Sequence, residues 1–336
     1  MKAPRYQPEL VAAEREVLRF CVDPAQASTR LDVFLHQRAP YLKRARVKQL
    51  IAAGSVSLPA RRARASTRLM SGEQVTLVID KCGRDRDRSL QEPLDLAVLY
   101  EDAALIAVDK PAGVAAHPAG GHVHRTALTW LRVHHPDGTR EFPKLCHRLD
   151  RETSGVLLAA RDRDAHRQVL RLIAAGGLHK EYLALVHGAV TTDRFLIELP
   201  LGDDRESPVT HRRCAGPQGT EPARTLVSVE RRTREFTLLR LFPATGRRHQ
   251  LRAHLAAIGH PIVGDKLYGH DPLVFLRARS GRLTDADRRA LRLPRHALHA
   301  AVVELEWQGR QLRIAAPWPA DLPLCAIDRA LAATTP

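Results

Sequence analysis

Two short segments hold most of the residues that could do chemistry. The first is Leu145-Cys146-His147-Arg148-Leu149-Asp150-Arg151-Glu152-Thr153-Ser154-Gly155. Arginines stand on both sides of Asp150, and nearby guanidinium groups favour the ionised form of a carboxylate. A carboxylate kept charged suits the role of nucleophile or base. The same residues could also form an ordinary surface ion-pair cluster. The second segment is Thr245-Gly246-Arg247-Arg248-His249-Gln250-Leu251-Arg252-Ala253-His254. Its arginines and histidines surround a glycine turn that runs into a helix, a junction suited to holding a phosphate or carboxylate. Ser154 lacks the Gly-x-Ser-x-Gly elbow of a serine hydrolase. His249 and His254 lie five residues apart, and His117, His122 and His124 share a glycine-rich stretch. Neither group brings the converging carboxylate or thiolate that a metal site calls for, so no metal is expected.

The elements that must position these residues follow from hydrophobic spacing. Strands are predicted at 96–100 and 105–108, at 156–160 and 183–186, and at 225–229, 236–241, 301–305 and 311–314. A helix over 166–174 separates two of them, and 271–292 reads as a charged helical excursion. Strands outnumber helices and few strict strand–helix–strand crossovers occur, which predicts an α+β fold with a mixed, mainly antiparallel sheet. Near the front, Leu31, Phe34 and Leu35 have helical spacing after Ser28 or Thr29 as N-cap, and Pro40 ends that helix. A second helix over 44–53 buries Val47, Leu50 and Ile51, with Gly54 past its end. Its other side presents Lys43, Arg44, Arg46 and Lys48. Short strands are predicted at 55–58 and 74–79. The resulting organisation is an extension over 1–27 with one strand, a small domain over 28–80, a polar linker over 81–93, a large domain over 94–325 and a tail over 326–336.

Composition narrows the partners. The 336 residues carry 53 Lys+Arg against 37 Asp+Glu, a formal charge of +16, and only eight of the basic residues are lysines. So basic a chain meets a polyanion, most often nucleic acid, unless its surface is merely solvated. Hydrophobic residues make up 44%, enough for a sizeable core. No apolar run is long enough for a membrane span. The start, Met1-Lys2-Ala3-Pro4-Arg5, does not lead into a secretory segment, so a cytoplasmic address is expected. Cys21, Cys82, Cys146, Cys214 and Cys325 form no Cys-x-x-Cys pair, which argues against a zinc knuckle and a disulfide framework. A monomer is the default expectation.

Six blocks in order resemble the RluA family of pseudouridine synthases. They are Tyr100-Glu101-Asp102; Asp109-Lys110-Pro111-Ala112-Gly113-Val114 with His117-Pro118; His147-Arg148-Leu149-Asp150 with Thr153-Ser154-Gly155; and Lys180-x-Tyr182-x-x-Leu185-x-x-Gly188. Then come Thr245-Gly246-Arg247-x-His249-Gln250-Leu251-Arg252, and Leu298-His299-Ala300 before Ala316-Pro317. The resemblance covers about 95 to 322. It implies an isomerase that converts uridine in structured RNA to pseudouridine, with no metal, redox or other cofactor. Asp150 would be the nucleophile, Arg247 the basic residue paired with it, and Tyr182 the aromatic packed on the target base. Arg148 would fill the space left by a flipped-out nucleotide, beside His147 and Leu251, although Leu251 also reads as a core leucine. Arg248 departs from the family, which more often has a small polar residue there. The front helices and strands resemble an S4-like RNA-binding domain whose second helix, with Lys43, Arg44, Arg46 and Lys48, meets RNA phosphates. Its usual Asn-Gly turn is replaced by Leu58-Pro59-Ala60. The expected target is 23S rRNA, with tRNA as the alternative. Competing readings are an RNA-binding protein without turnover and a nucleoside-level glycosidase that releases uracil.

Overall fold

In the computed structural model the described residues are 9–11, 15–39, 42, 44–59, 61–80, 94–118, 125–135, 141–209 and 211–322. The chain forms two compact units. The linker at 81–93, the tail at 326–336, Lys43, His122 and His124 lie outside the described residues.

The front unit comprises β1 (Glu9–Val11), β2 (Arg15–Cys21), α1 (Leu31–Arg38), α2 (Arg44–Ala52), β3 (Val56–Ser57) and β4 (Gln74–Asp80). Its antiparallel sheet has the order β1-β2-β4-β3. Segment 1–27 is therefore no mere extension, because β2 pairs with β4 over seven positions and places Leu18 in the unit's core. Phe34, Leu35, Val47, Leu50 and Ile51 supply the helical side of that core, as their spacing predicts. Gly54, at φ 77°, closes α2. The expected cap of α1 is absent. Arg30 occupies the N-cap position without a side-chain cap, and Ser28 sits earlier at φ 64°. Pairing of this stretch with 67–69 fixes it instead, through Leu31 N–H to the Thr67 carbonyl and Leu69 N–H to the Thr29 carbonyl.

The second unit contains β5 (Val98–Glu101), β6 (Leu105–Lys110), α3 (Ala127–His134), β7 (Lys144–Leu145), β8 (Ser154–Ala160), α4 (Arg163–Ala174), β9 (Leu178–His187) and β10 (Arg194–Glu198). It continues with β11 (Leu201–Asp203), β12 (Arg213–Ala215), β13 (Arg224–Arg232), β14 (Phe236–Pro243) and α5 (Gln250–Ala257). The last elements are α6 (Leu273–Arg279), α7 (Asp285–Leu291), β15 (Leu298–Trp307) and β16 (Arg310–Ala315). A ten-stranded sheet follows the order β10-β13-β14-β9-β15-β8-β6-β5, with β16 beside β15 and β7 beside β8. All its pairings are antiparallel except β15 with β8. The mixed, mainly antiparallel α+β fold is thus as the sequence predicts.

β8 explains the layering. Every one of its residues is buried, so its apolar run does not alternate with polar residues. Leu157 and Ala159 enter the core on one face, shared with α3 and α5. Val156, Leu158 and Ala160 enter the core on the other, shared with Ala165 and Val169 of α4. Asp162 caps α4 by accepting the N–H groups of Asp164 and Ala165, both at 2.8 Å. The parallel contact between β8 and β15 depends on Gly155, at φ 110°. A Cβ there would lie 2.1 Å from the Ala300 carbonyl oxygen.

Candidate active site

Asp150 sits on the loop between β7 and β8, and neighbouring elements fasten that loop at nearly every residue. Buried Lys110, at the end of β6, donates to the carbonyls of Pro111, Val114 and Arg151 at 2.8, 2.9 and 3.1 Å. Lys266 grips both Glu152 carboxylate oxygens at 2.8 and 2.9 Å. Thr153 Oγ1 meets His296 Nε2 at 2.8 Å, and Ser154 Oγ meets His299 Nδ1 at 3.0 Å. Burial lowers the pKa of both His296 and His299 to about 4, so they are neutral hydrogen-bonding struts at neutral pH. Ser154 is itself buried in this network, which removes it as an exposed nucleophile.

The partner of Asp150 is Arg252, whose Nη1 donates to Oδ2 at 2.9 Å. Arg247, the partner expected from the resemblance, is exposed and donates through Nε to the Pro222 carbonyl at 3.3 Å. The reason lies in the local backbone. Gln250 Oε1 accepts from Thr245 Oγ1 and Arg247 N–H, while its Nε2 donates to the Arg224 carbonyl and Thr225 Oγ1. His249 then takes a left-handed conformation, φ 58°, and α5 begins. Arg247 precedes this reversal and stays outside. Arg252 follows it and lies on the buried face of the first turn.

Arg252 is shared between two carboxylates. Asp265, fully buried, accepts its Nε at 2.6 Å and its Nη2 at 2.9 Å, and the guanidinium lies 5.1 Å from the Tyr268 ring centroid. Gly264 sets the turn before Asp265. It has φ 79°, and a Cβ there would lie 2.0 Å from the Arg295 carbonyl oxygen. Asp265 also accepts the N–H groups of Leu267 and Tyr268. Burial would raise the Asp150 pKa, but the Arg252 guanidinium outweighs it and holds the carboxyl well below the usual range. His249 is kept neutral by burial, with its pKa lowered to about 3. Its Nδ1 meets the Tyr268 hydroxyl at 3.1 Å and its Nε2 lies 3.9 Å from Asp150 Oδ2.

A cavity of ≈ 230 Å³ opens above this carboxylate. Asp150, Arg148, Tyr182, Leu251 and Arg247 all line it. Tyr182 projects from β9, where it is registered with Leu241 of β14 and Ala300 of β15. Burial, followed by the Asp150 charge, pushes its phenol pKa up, so the hydroxyl stays protonated. Arg148 is exposed at the rim. Leu251 both lines the cavity and belongs to the core beneath it. His147 lines the wall too, but its Nε2 accepts the Leu158 N–H at 3.2 Å and burial lowers its pKa to about 3. It braces β8. Arg248 lies 3.8 Å from Asp203.

The sequence motifs contain Arg252 and the turn that holds Asp265 and Tyr268, but spacing assigns none of the three a role. The available signal was Arg252's place one residue after Leu251 and three before Leu255, inside the helix rather than in its leading loop. On the front unit, Arg46 and Lys48 are exposed as expected. Arg44 is exposed too, and its guanidinium also binds the buried Asp32 carboxylate at 2.9 and 3.1 Å, alongside Arg30, because that charge needs compensation. Among the described residues, no group of three His, Cys, Asp or Glu side chains is placed to hold a metal ion. No described helix is long and apolar enough to cross a membrane.

Comparisons with known proteins show the family to which the chain belongs. Residues 104–257 match the family model for RNA pseudouridylate synthase. Ribosomal large subunit pseudouridine synthase D of Nitrosomonas europaea is 34% identical over 303 residues, 88% of this chain and 83% of that protein. An RNA pseudouridine synthase of Chloroflexus aurantiacus is 36% identical over 94% of this chain and 93% of its own. Among solved structures, human RNA pseudouridylate synthase domain containing 1 superposes with a TM-score of 0.54 at 26% identity, covering 72% of this chain and 98% of that one. Sequence and fold are thus shared along most of the chain with proteins of one activity, and the chain belongs to the RluA-type RNA pseudouridine synthases, isomerases that act on RNA.

Proposed function

We propose that this synthase isomerises uridines of large-subunit ribosomal RNA, with Asp150 as nucleophile. The observation that supports this most is an ionised Asp150, gripped by Arg252, facing a cavity walled by Tyr182. In this reading the target nucleotide leaves its stack, at a cost of a few kcal/mol, and Arg148 at the rim fills the vacated space. The Asp150 carboxylate bonds to C1′ as the N1–C1′ bond breaks, and the uracil departs with the bonding pair. The ring turns, C5 bonds to C1′, and the carboxylate leaves. The C5 proton is lost and N1 gains one, so the net change is an isomerisation without oxidation. Tyr182 supplies a flat apolar wall and a protonated hydroxyl while the detached ring is held. Arg252 is a positioning residue. It orients Asp150 and favours its charge.

The ribosomal target is suggested by relatives named for the large ribosomal subunit, together with a front unit carrying exposed basic residues. We read that unit as S4-like, recruiting RNA through Arg46 and Lys48 of α2, and the enzyme as a cytoplasmic monomer. Deleting the gene and mapping pseudouridine across all stable RNA tests the target. Loss confined to 23S rRNA is expected, and loss confined to tRNA overturns the ribosomal reading.

A further inference from the structure

The lysines of the catalytic unit differ in one respect. Lys110 donates to three carbonyls, Lys144 pairs with Glu141 and Lys266 pairs with Glu152. Lys180 has no such partner among the described residues. It lies two residues before Tyr182 on β9, so both side chains point to the same face of the sheet. Both line the cavity that holds Asp150. Burial lowers the Lys180 pKa and no neighbouring carboxylate opposes it, so the ammonium carries an uncompensated desolvation cost. Its near neighbour His147 is neutral, and His147 feels the Lys180 charge as a further push downward after burial.

The Thr245–Gly246–Arg247 loop lines the same cavity. A Cβ added at Gly246 would lie 3.5 Å from Lys180 Nζ, an ordinary contact distance, so the ammonium sits against this loop. Lys180 and the loop thus share one stretch of the cavity wall, with Arg247 exposed alongside. A cation with no carboxylate partner among the described residues gains a counter-charge when an anion enters the cavity. RNA brings one with every nucleotide, and phosphate contacts by Lys and Arg fix the register of a bound strand.

We propose that Lys180 and the loop at Gly246 form a subsite for the phosphodiester group next to the extruded uridine. This deepens the reading of Asp150 as the nucleophile below that uridine and does not depend on which RNA is the target. The phosphate anchors the flipped nucleotide by its backbone while Tyr182 holds the base. The subsite acts on binding and register, and leaves the chemistry at C1′ to Asp150.

The test uses the full-length enzyme and total stable RNA from cells lacking the gene, which holds the substrate whatever its class. Lys180→Met is expected to raise KM about tenfold while kcat stays within about threefold. The dependence of log(kcat/KM) on log[salt] should become shallower by about one contact. Lys180→Arg should restore the slope. Gly246→Val, whose branched side chain crowds Lys180 Nζ, should raise KM in the same way and add little to Lys180→Met. Thermal unfolding separates this from a structural role, because removing a buried ammonium with no carboxylate partner among the described residues should leave Lys180→Met at least as stable as the parent. A fall in kcat with KM and salt slope unchanged would place Lys180 on the departing uracil and overturn the proposal. Unchanged kinetics, or a destabilised Lys180→Met, would overturn it too. If Asp150→Asn retains turnover, the nucleophile reading fails whatever Lys180 does.

Discussion

Replacing Arg252 and Arg247 separately distinguishes the two arginines most sharply. Arg252 is buried, and it is bound by fully buried Asp265 through two hydrogen bonds and by Asp150 through one. Arg252→Met leaves Asp265 charged without its cation. Breaking a buried pair in this way costs about 3–5 kcal/mol. For a unit of this size about 2–4 °C of Tm is lost per kcal/mol, which gives a drop on the order of 6–20 °C. Asp150 also loses the strongest influence opposing burial, so its pKa rises and its carboxylate is no longer oriented. Misplacement of a reacting group by about 1 Å costs around 10²-fold, and kcat should fall at least that far. Asp265→Asn added to Arg252→Met removes the orphaned charge and should recover much of the stability without recovering turnover. Arg247→Met disturbs one exposed bond to a carbonyl. Its stability should stay within about 0.5 kcal/mol of the parent, with kcat little changed. The assays are pseudouridine formation and thermal denaturation of the same preparations. Turnover retained by Arg252→Met, or abolished by Arg247→Met, would refute the assignment of the pair.

Further outcomes follow from other parts of the site. Asp150→Asn should abolish pseudouridine formation while RNA affinity, measured at fixed salt, falls little; turnover in that variant would remove Asp150 as nucleophile. His296 and His299 have folded pKa values near 4 against an ordinary 6.5, so the unfolded chain binds more protons than the native one between those limits. Stability should therefore fall as pH drops from 6.5 towards 4, by up to about 3 kcal/mol for each histidine. The depressed carboxyls of Asp150 and Asp265 add their own losses only at lower pH. Denaturant midpoints measured from pH 7 to pH 4.5 check this, and a flat profile contradicts it. Gly155→Ala forces a Cβ against the Ala300 carbonyl and should cost more than about 3 kcal/mol or prevent soluble expression. A Tm equal to the parent's would mean that β8 and β15 can separate freely.

Much of this protein was legible in local pattern. The apolar run 156–160, the strand pairs at 225–241 and 301–314, and the helix before β9 follow from spacing that each segment carries within itself. The charged stretch 271–292 likewise resolves into α6 and α7, where Thr284 and Asp287 form a reciprocal cap. Asp150 stood out because its neighbours in sequence are also charges. The blocks that resemble a family carried the activity, since their order along the chain needs no knowledge of their placement in space.

What sequence could not decide depended on partners far along the chain. The insertion of β15 between β8 and β9 joins segments more than a hundred residues apart, and only Gly155 hints at how closely they approach. Segment 1–27 read as an extension because its strand has no partner until β4 returns to it. The second task of Arg44, compensating Asp32, was hidden because nothing local shows that Asp32 is buried beneath it. The choice among Arg247, Arg248 and Arg252 is the clearest case. All three have the same chemistry within six residues, and the left-handed turn at His249 decides which one faces inward. Residue type set what reactions were available. The tertiary fold chose the atoms, because burial next to Asp265 fixes one guanidinium against Asp150, while Arg247 stays exposed and Arg248 lies toward Asp203.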